Sequence, residues 1–189
     1  MQKIDKLIPI YREQKAYTIF YDREHHKFYK FQHQEFYAIL ILIIYSLAIL
    51  GGIYLANEIF LYFSFAGNAV NMFLLTCIGI VIIGSYFVAK MYYRSFYAQK
   101  PREIFLNRES METYARKGIQ QYRVAIYAGG GLSVLMALIS FILTLVFARL
   151  DFLVLGGLGI TNTFHLLFIK PFTTQKILKQ MVHNEINDS

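Results

Sequence analysis

Residues 66–89 read AGNAVNMFLLTCIGIVIIGSYFVA, a run with no Asp, Glu, Lys or Arg. About 20 such residues in a helix reach across a hydrocarbon core of about 30 Å, and this run is apolar around nearly its whole circumference. Three more uncharged runs occur, at 36–56, 124–148 and 152–169. The last is the shortest, but Leu150 and the aliphatic stem of Lys170 extend it enough to span. The chain has 189 residues, 56% of them hydrophobic, and no tryptophan. Four apolar helices in so short a chain leave too little polar surface to cover them in water. The expected fold is therefore an all-α membrane protein, a four-transmembrane-helix bundle of one domain.

The connections fix an expected orientation. Lys and Arg number seven before the first span, none in 57–65, eight in 90–123, one in 149–151 and three after the fourth span. Eighteen of nineteen thus fall on one side, and the excess of positive charge marks the cytoplasmic side. The reading is a multi-pass protein of the cell membrane with cytoplasmic N- and C-termini. It divides into a cytoplasmic segment 1–35, the membrane domain 36–169 with its cytoplasmic loop 90–123, and a cytoplasmic C-terminal helix 170–189. Residues 1–35 lack the apolar core of a cleavable signal, so the first span is expected to do the targeting. Outside, 57–65 reads as a membrane-flush aromatic loop and 149–151 as a tight turn joining two antiparallel spans.

The cytoplasmic half reads as structured. Tyr17–Tyr21 and Lys27–Phe31 are aromatic and β-branched runs flanking the polar DREHH, which predicts a β-hairpin over 17–31. Two strands alone are marginal in water, so the hairpin needs a support. After Asn107, a natural N-cap, Met111, Tyr114, Ala115, Gly118, Ile119 and Tyr122 recur at helical spacing. Glu112 and Arg116 form an i, i+4 pair on the other face, and nothing breaks the pattern before Val124. This predicts an amphipathic helix running into the third span. Ile177, Leu178, Met181, Val182 and Ile186 predict a second one, which either docks or lies in the interface. The stretch KMYYRSFYAQKPR places Lys90, Arg94, Lys100 and Arg102 among aromatic residues, which fits anchors for lipid headgroups and anionic membrane lipids as partners. Basic and aromatic interleaving also suits single-stranded nucleic acid, but here lipid occupies that position, so no nucleic acid is expected.

Chemistry is sparse. His25, His26 and His33 lie near Glu24 and Glu35 without metal-ligand spacing, so no metal is expected. Cys77 is the only cysteine, and no nucleophile has a base, so the chain reads as a non-enzyme without cofactors. A lipid-acting enzyme would need clustered acids at the inner interface, and Glu103, Glu109 and Glu112 do not make such a cluster. Inside the spans, Asn68, Asn71, Asn162 and His165 are the polar candidates, either for partner contact or for bonds between helices. Small residues that suit close helix packing, or self-association into a homo-oligomer, are Ala125, Gly129 and Ser133 in the third span and Gly156, Gly157 and Gly159 in the fourth.

With AYTIFYDREHHKFYKF (16–31) ahead of closely packed spans, the chain resembles small polytopic membrane proteins of low-GC Gram-positive bacteria, including tandem five-span proteins associated with type VII secretion. The resemblance rests on hydropathy and that one segment. Some of those relatives are immunity proteins that neutralise membrane-depolarising toxins, which implies binding of another membrane-embedded or membrane-bound protein. The competing expectation is a small transporter or a subunit of a transport complex, with Asn68, Asn71, Asn162 and His165 facing one another along a polar path.

Overall fold

The computed structural model describes residues 7–13, 16–33, 35–63, 68–97 and 100–187. It is mostly helical and contains four helices long and apolar enough to cross a membrane. The helices are α1 (Glu35–Phe63), α2 (Asn68–Phe96), α3 (Arg108–Val124), α4 (Gly131–Phe147), α5 (Phe152–Phe168) and α6 (Pro171–Asn187). A π-helical segment, Ala125–Gly130, joins α3 to α4. Together they form one continuous 40-residue helix, so the amphipathic stretch does run into the third span.

Helices and uncharged runs do not coincide. The loop expected at 57–65 is helical as far as Phe63, and α2 continues past Lys90 and Arg94. Charge ends a hydrophobic run, whereas a helix ends only where its backbone bonds lose their partners. At the other end, Ala148 takes a left-handed conformation that stops α4, and Lys170, also left-handed, separates α5 from α6.

In the bundle α5 is central: α1 packs on α2 and α5, α2 on α5, and α4 on α5. The α4–α5 contact is close. A Cβ on Gly159 would lie 2.8 Å from the Ser133 carbonyl oxygen, so only glycine fits. Opposite it, α4 buries the small residues Ser133, Ala137 and Ser140. On the other side of α5, the Tyr45 hydroxyl from α1 bonds the Ser85 hydroxyl from α2 at 2.6 Å, and Ser85 donates to the Gly157 carbonyl at 3.2 Å. Three helices thus share one polar knot in an apolar interior. The outward faces are apolar: Leu47, Met72, Leu132 and Val146 are each more than 60% exposed. Such surfaces suit lipid and not water.

The expectation of an all-α fold needs correction. The hairpin forms, with β2 (Tyr17–Asp22) paired to β3 (Lys27–Gln32), but it belongs to a four-stranded antiparallel sheet of order β1-β2-β3-β4. The outer strands are β1 (Ile8–Glu13) and β4 (Arg102–Ile104). Strand alternation gives the sheet two faces. Phe20, Tyr29 and Phe31 point to one, against Tyr93, Phe96 and Tyr97 at the end of α2. Tyr21 and Phe28 point to the other, with Ile10 against Ala115, Tyr122 and Leu178 of α3 and α6. The α2 end is therefore the support that the hairpin requires.

The Asn107 side chain caps α3 by accepting from the Ser110 N–H at 3.0 Å. Where α3 crosses β1, a Cβ on Gly118 would come within 2.2 Å of the Ile10 carbonyl oxygen. Of the two readings for the C-terminal stripe, the docked one is seen: Leu178 is fully buried, and α6 lies along α3.

Candidate functional site

A cleft of about 880 Å³ opens where the sheet, the long helix and α5 meet. Strand β1 brings Tyr11 and Arg12 to it, α3 brings Lys117, Gln120 and Gln121, and α5 brings Asn162 and His165. Its apolar side is Val124, Ala125 and Leu166, where the long helix passes from its charged half to its uncharged half. The cleft therefore sits at the level where the apolar spans begin.

Arg12 is held from two directions. Its backbone N–H donates to the Gln121 Oε1 at 3.1 Å, and its carbonyl accepts from the Gln121 Nε2 at 2.8 Å. Its guanidinium lies 4.8 Å from the centre of the Phe96 ring, a cation–π contact. Beside it, Tyr11 donates to the Glu13 carboxylate at 2.5 Å. That bond, with burial and the charge of Glu13, pushes the Tyr11 phenol up to about 12, so Tyr11 adds no negative charge to the cleft.

On the α5 side, the His165 ring stands edge-on to Tyr92, 4.8 Å between centres. Its Nδ1 is buried and has no hydrogen-bond partner among the described residues. A buried polar atom left so costs about 1–3 kcal/mol, which singles out His165 as unlike the other polar groups of the spans. Asn162, one turn earlier, donates to the Ser133 hydroxyl at 2.6 Å. These two candidates do come together in one cleft. Asn68 and Asn71 do not join them: both are exposed at the start of α2, and Asn71 is about 31 Å along that helix from Tyr92, which touches His165.

The packing candidates separate as well. Ser133, Gly156, Gly157 and Gly159 are buried between helices. Ala125 and Gly129 lie in the π-helical segment, and Gly129 has only ordinary van der Waals room, 3.8 Å from Leu166. They line or flank the cleft, in the segment that packs on α5. Among the headgroup candidates, Arg102 is part of β4, in register with Lys30, and Lys90 lies 6.0 Å from the centre of the Tyr86 ring. Arg94 and Lys100 are exposed. His25 and His26 sit in the β2–β3 turn and bond Asp22 and Tyr21. Glu103 pairs with Lys27 at 2.8 Å and Glu112 with Arg116 at 2.6 Å. No cluster of three metal-ligating residues occurs among the described residues.

No protein-family model, curated protein or solved structure matches the chain.

A second concavity, about 310 Å³, lies within the bundle between α1 and α2. Ala48, Gly52 and Ala56 line it from α1, and Cys77, Ile80 and Gly84 from α2. Ala48 and Gly52 are exposed, and nothing lies within 4 Å of where a Gly52 Cβ would be. The four-residue spacing of Ala48, Gly52 and Ala56 is visible in the sequence and was the available signal for this face. The cleft offered no comparable signal for Arg12, since its value depends on a strand far from α3 and α5 in the chain.

Proposed function

We propose that this chain is a non-catalytic, multi-pass protein of the cell membrane, with cytoplasmic termini and sheet, that works by binding another membrane-embedded protein. An immunity protein or a subunit of a membrane assembly works in this way. The orientation is supported by the charge asymmetry, which assigns eighteen of nineteen Lys and Arg to one side.

The observation that carries the partner reading is the uncovered small-residue face of α1. In α4 and α5, small residues at comparable spacing are covered by a neighbouring helix: Gly159 by Ser133 and Ala137, Gly156 by Phe141. Ala48 and Gly52 have the same character and no such cover. Helix association in lipid relies on small residues that let backbones approach, and the occupant that fits is a transmembrane helix of a second protein. The transporter alternative draws no comparable support, because its four polar residues are divided between the two ends of the bundle.

The test is a photo-crosslinking residue placed at Gly52 in the native membrane, with a second at Leu47, whose side chain is 62% exposed, as control. A discrete heteromeric adduct from position 52, absent from position 47 and lost in Ala48→Leu, is the expected result. Adducts only to lipid, or only between copies of this chain, would overturn the reading.

A further inference from the structure

The boundary cleft carries positive charge without its complement. Arg12 and Lys117 both line it, no Asp or Glu does, and neither cation has a carboxylate partner among the described residues. Arg12 is nonetheless fixed in place, its backbone by Gln121 and its guanidinium by Phe96. Such pre-organisation lowers the entropy that a ligand would otherwise lose on ordering it. The guanidinium fork matches the oxygens of a phosphate, and the Lys117 ammonium adds a mobile point charge. Asn162, exposed on α5, offers a further polar contact on the opposite wall, which the His165 ring also lines while its Nδ1 stays buried. Between these groups run Val124, Ala125 and Leu166. The occupant is therefore anionic at one end and tolerant of apolar contact at the other. About 880 Å³ lies within the range of small-molecule sites, roughly 300–1,000 Å³.

We propose that this cleft binds a phosphate ester, with its charged oxygens on Arg12 and Lys117 and its ester end toward Asn162 and His165. This site is separate from the α1 face, and either proposal stands without the other. The phosphate can be borne by the headgroup of an anionic phospholipid or by a soluble phosphate ester. Val124 is 59% exposed, and it begins the uncharged half of the long helix, which leaves acyl chains a continuous apolar path.

The experiment uses the full chain in nanodiscs of phosphatidylcholine containing a fluorescent phosphatidylglycerol, with glycerol phosphate as the soluble competitor. The wild type should hold the labelled lipid saturably. Lys117→Ala and Arg12→Gln should each weaken binding about tenfold, the loss of one charge-assisted contact. Lys176→Ala removes the same charge from the exposed side of α6 and should stay within about twofold. Displacement by glycerol phosphate assigns recognition to the phosphate whatever its bearer, whereas retention of the lipid against it assigns a phospholipid. Lys117 is exposed on α3 and its removal leaves the core intact, so it decides the matter if Arg12→Gln fails to fold. No saturable binding by the wild type, or equal weakening in Lys117→Ala and Lys176→Ala, would overturn the proposal.

Discussion

The side-chain amide of Gln121 closes on both backbone groups of Arg12, accepting from its N–H at 3.1 Å and donating to its carbonyl at 2.8 Å. Strand β1 is an edge of the sheet, with β2 on one side only. Gln121 thus supplies from a helix the two bonds that a further strand would make, at one residue, and leaves less of the edge open to pairing with another chain.

Replacing Gln121 by Ala should cost about 1–2 kcal/mol, the sum of two partly exposed hydrogen bonds. Glu at the same position keeps the acceptor and loses the donor, so it should fall between. Amide hydrogen exchange at Arg12 separates the two bonds: protection should drop in Gln121→Ala, which removes the acceptor of that N–H, and persist in Gln121→Glu, which keeps it.

Gly118→Ala should destabilise the sheet against α3. The added methyl would sit 2.2 Å from the Ile10 carbonyl oxygen, a backbone atom that cannot rotate away, and overpacking of this kind costs about 1–3 kcal/mol. Gly79→Ala is the matched control, since nothing lies within 4 Å of its added carbon. Thermal unfolding in detergent should show a lowered midpoint for the first variant and not the second.

How much of this was legible beforehand differs from element to element. The hairpin, the Asn107 cap and the Glu112–Arg116 pair each depend on residues a few positions apart, and local spacing showed them. Strand β1 was missed because Pro9 and a register shift between Pro9 and Tyr11 break the alternation that announces a strand. Strand β4 has three residues, too few to show a period, and its partner β3 lies on the far side of two long helices. The cleft needs β1, α3 and α5 together, so His165 and Asn162 were legible by type while their companions Arg12 and Lys117 were not. Asn68 and Asn71 were equally legible by type, and their exposed positions at the start of α2 depend on helix rotation, which an apolar run does not encode.

Tyr45→Phe and Ser85→Ala should each destabilise the bundle modestly. Both break the knot that ties α1 and α2 to the Gly157 carbonyl. Hydrogen bonds between membrane helices average about 0.6 kcal/mol, with a maximum of about 1.7. Gly157→Leu should cost more, because even a Cβ there would lie 2.8 Å from Ile49 and 3.1 Å from Val81. Unfolding in mixed micelles, followed by far-ultraviolet circular dichroism, ranks the three.

Alkali should loosen the sheet from α3 before it melts the bundle. Tyr11 is pushed up to about 12 by its bond to Glu13, and Tyr17 to about 12 by its bond to Tyr114. Both phenols hold their protons more tightly folded than unfolded, so their contribution is complete below about pH 10 and is lost as pH rises through about 12. Tyrosinate absorbance in that window should track a loss of sheet signal, and Tyr11→Phe should flatten the pH dependence.

The helix Arg108–Phe147 passes from the sheet into the apolar core without a break in its 40 residues, a rod of about 60 Å. Membrane helices tilt further in thinner bilayers. A rod tilted at one end moves at the other, and Lys117, Gln120 and Gln121 ride on its soluble half while α5 holds the facing wall. If the apolar half spans a bilayer, a change in its tilt should therefore be felt at the cleft, and the affinity of the cleft should vary with the acyl-chain length of the surrounding lipid.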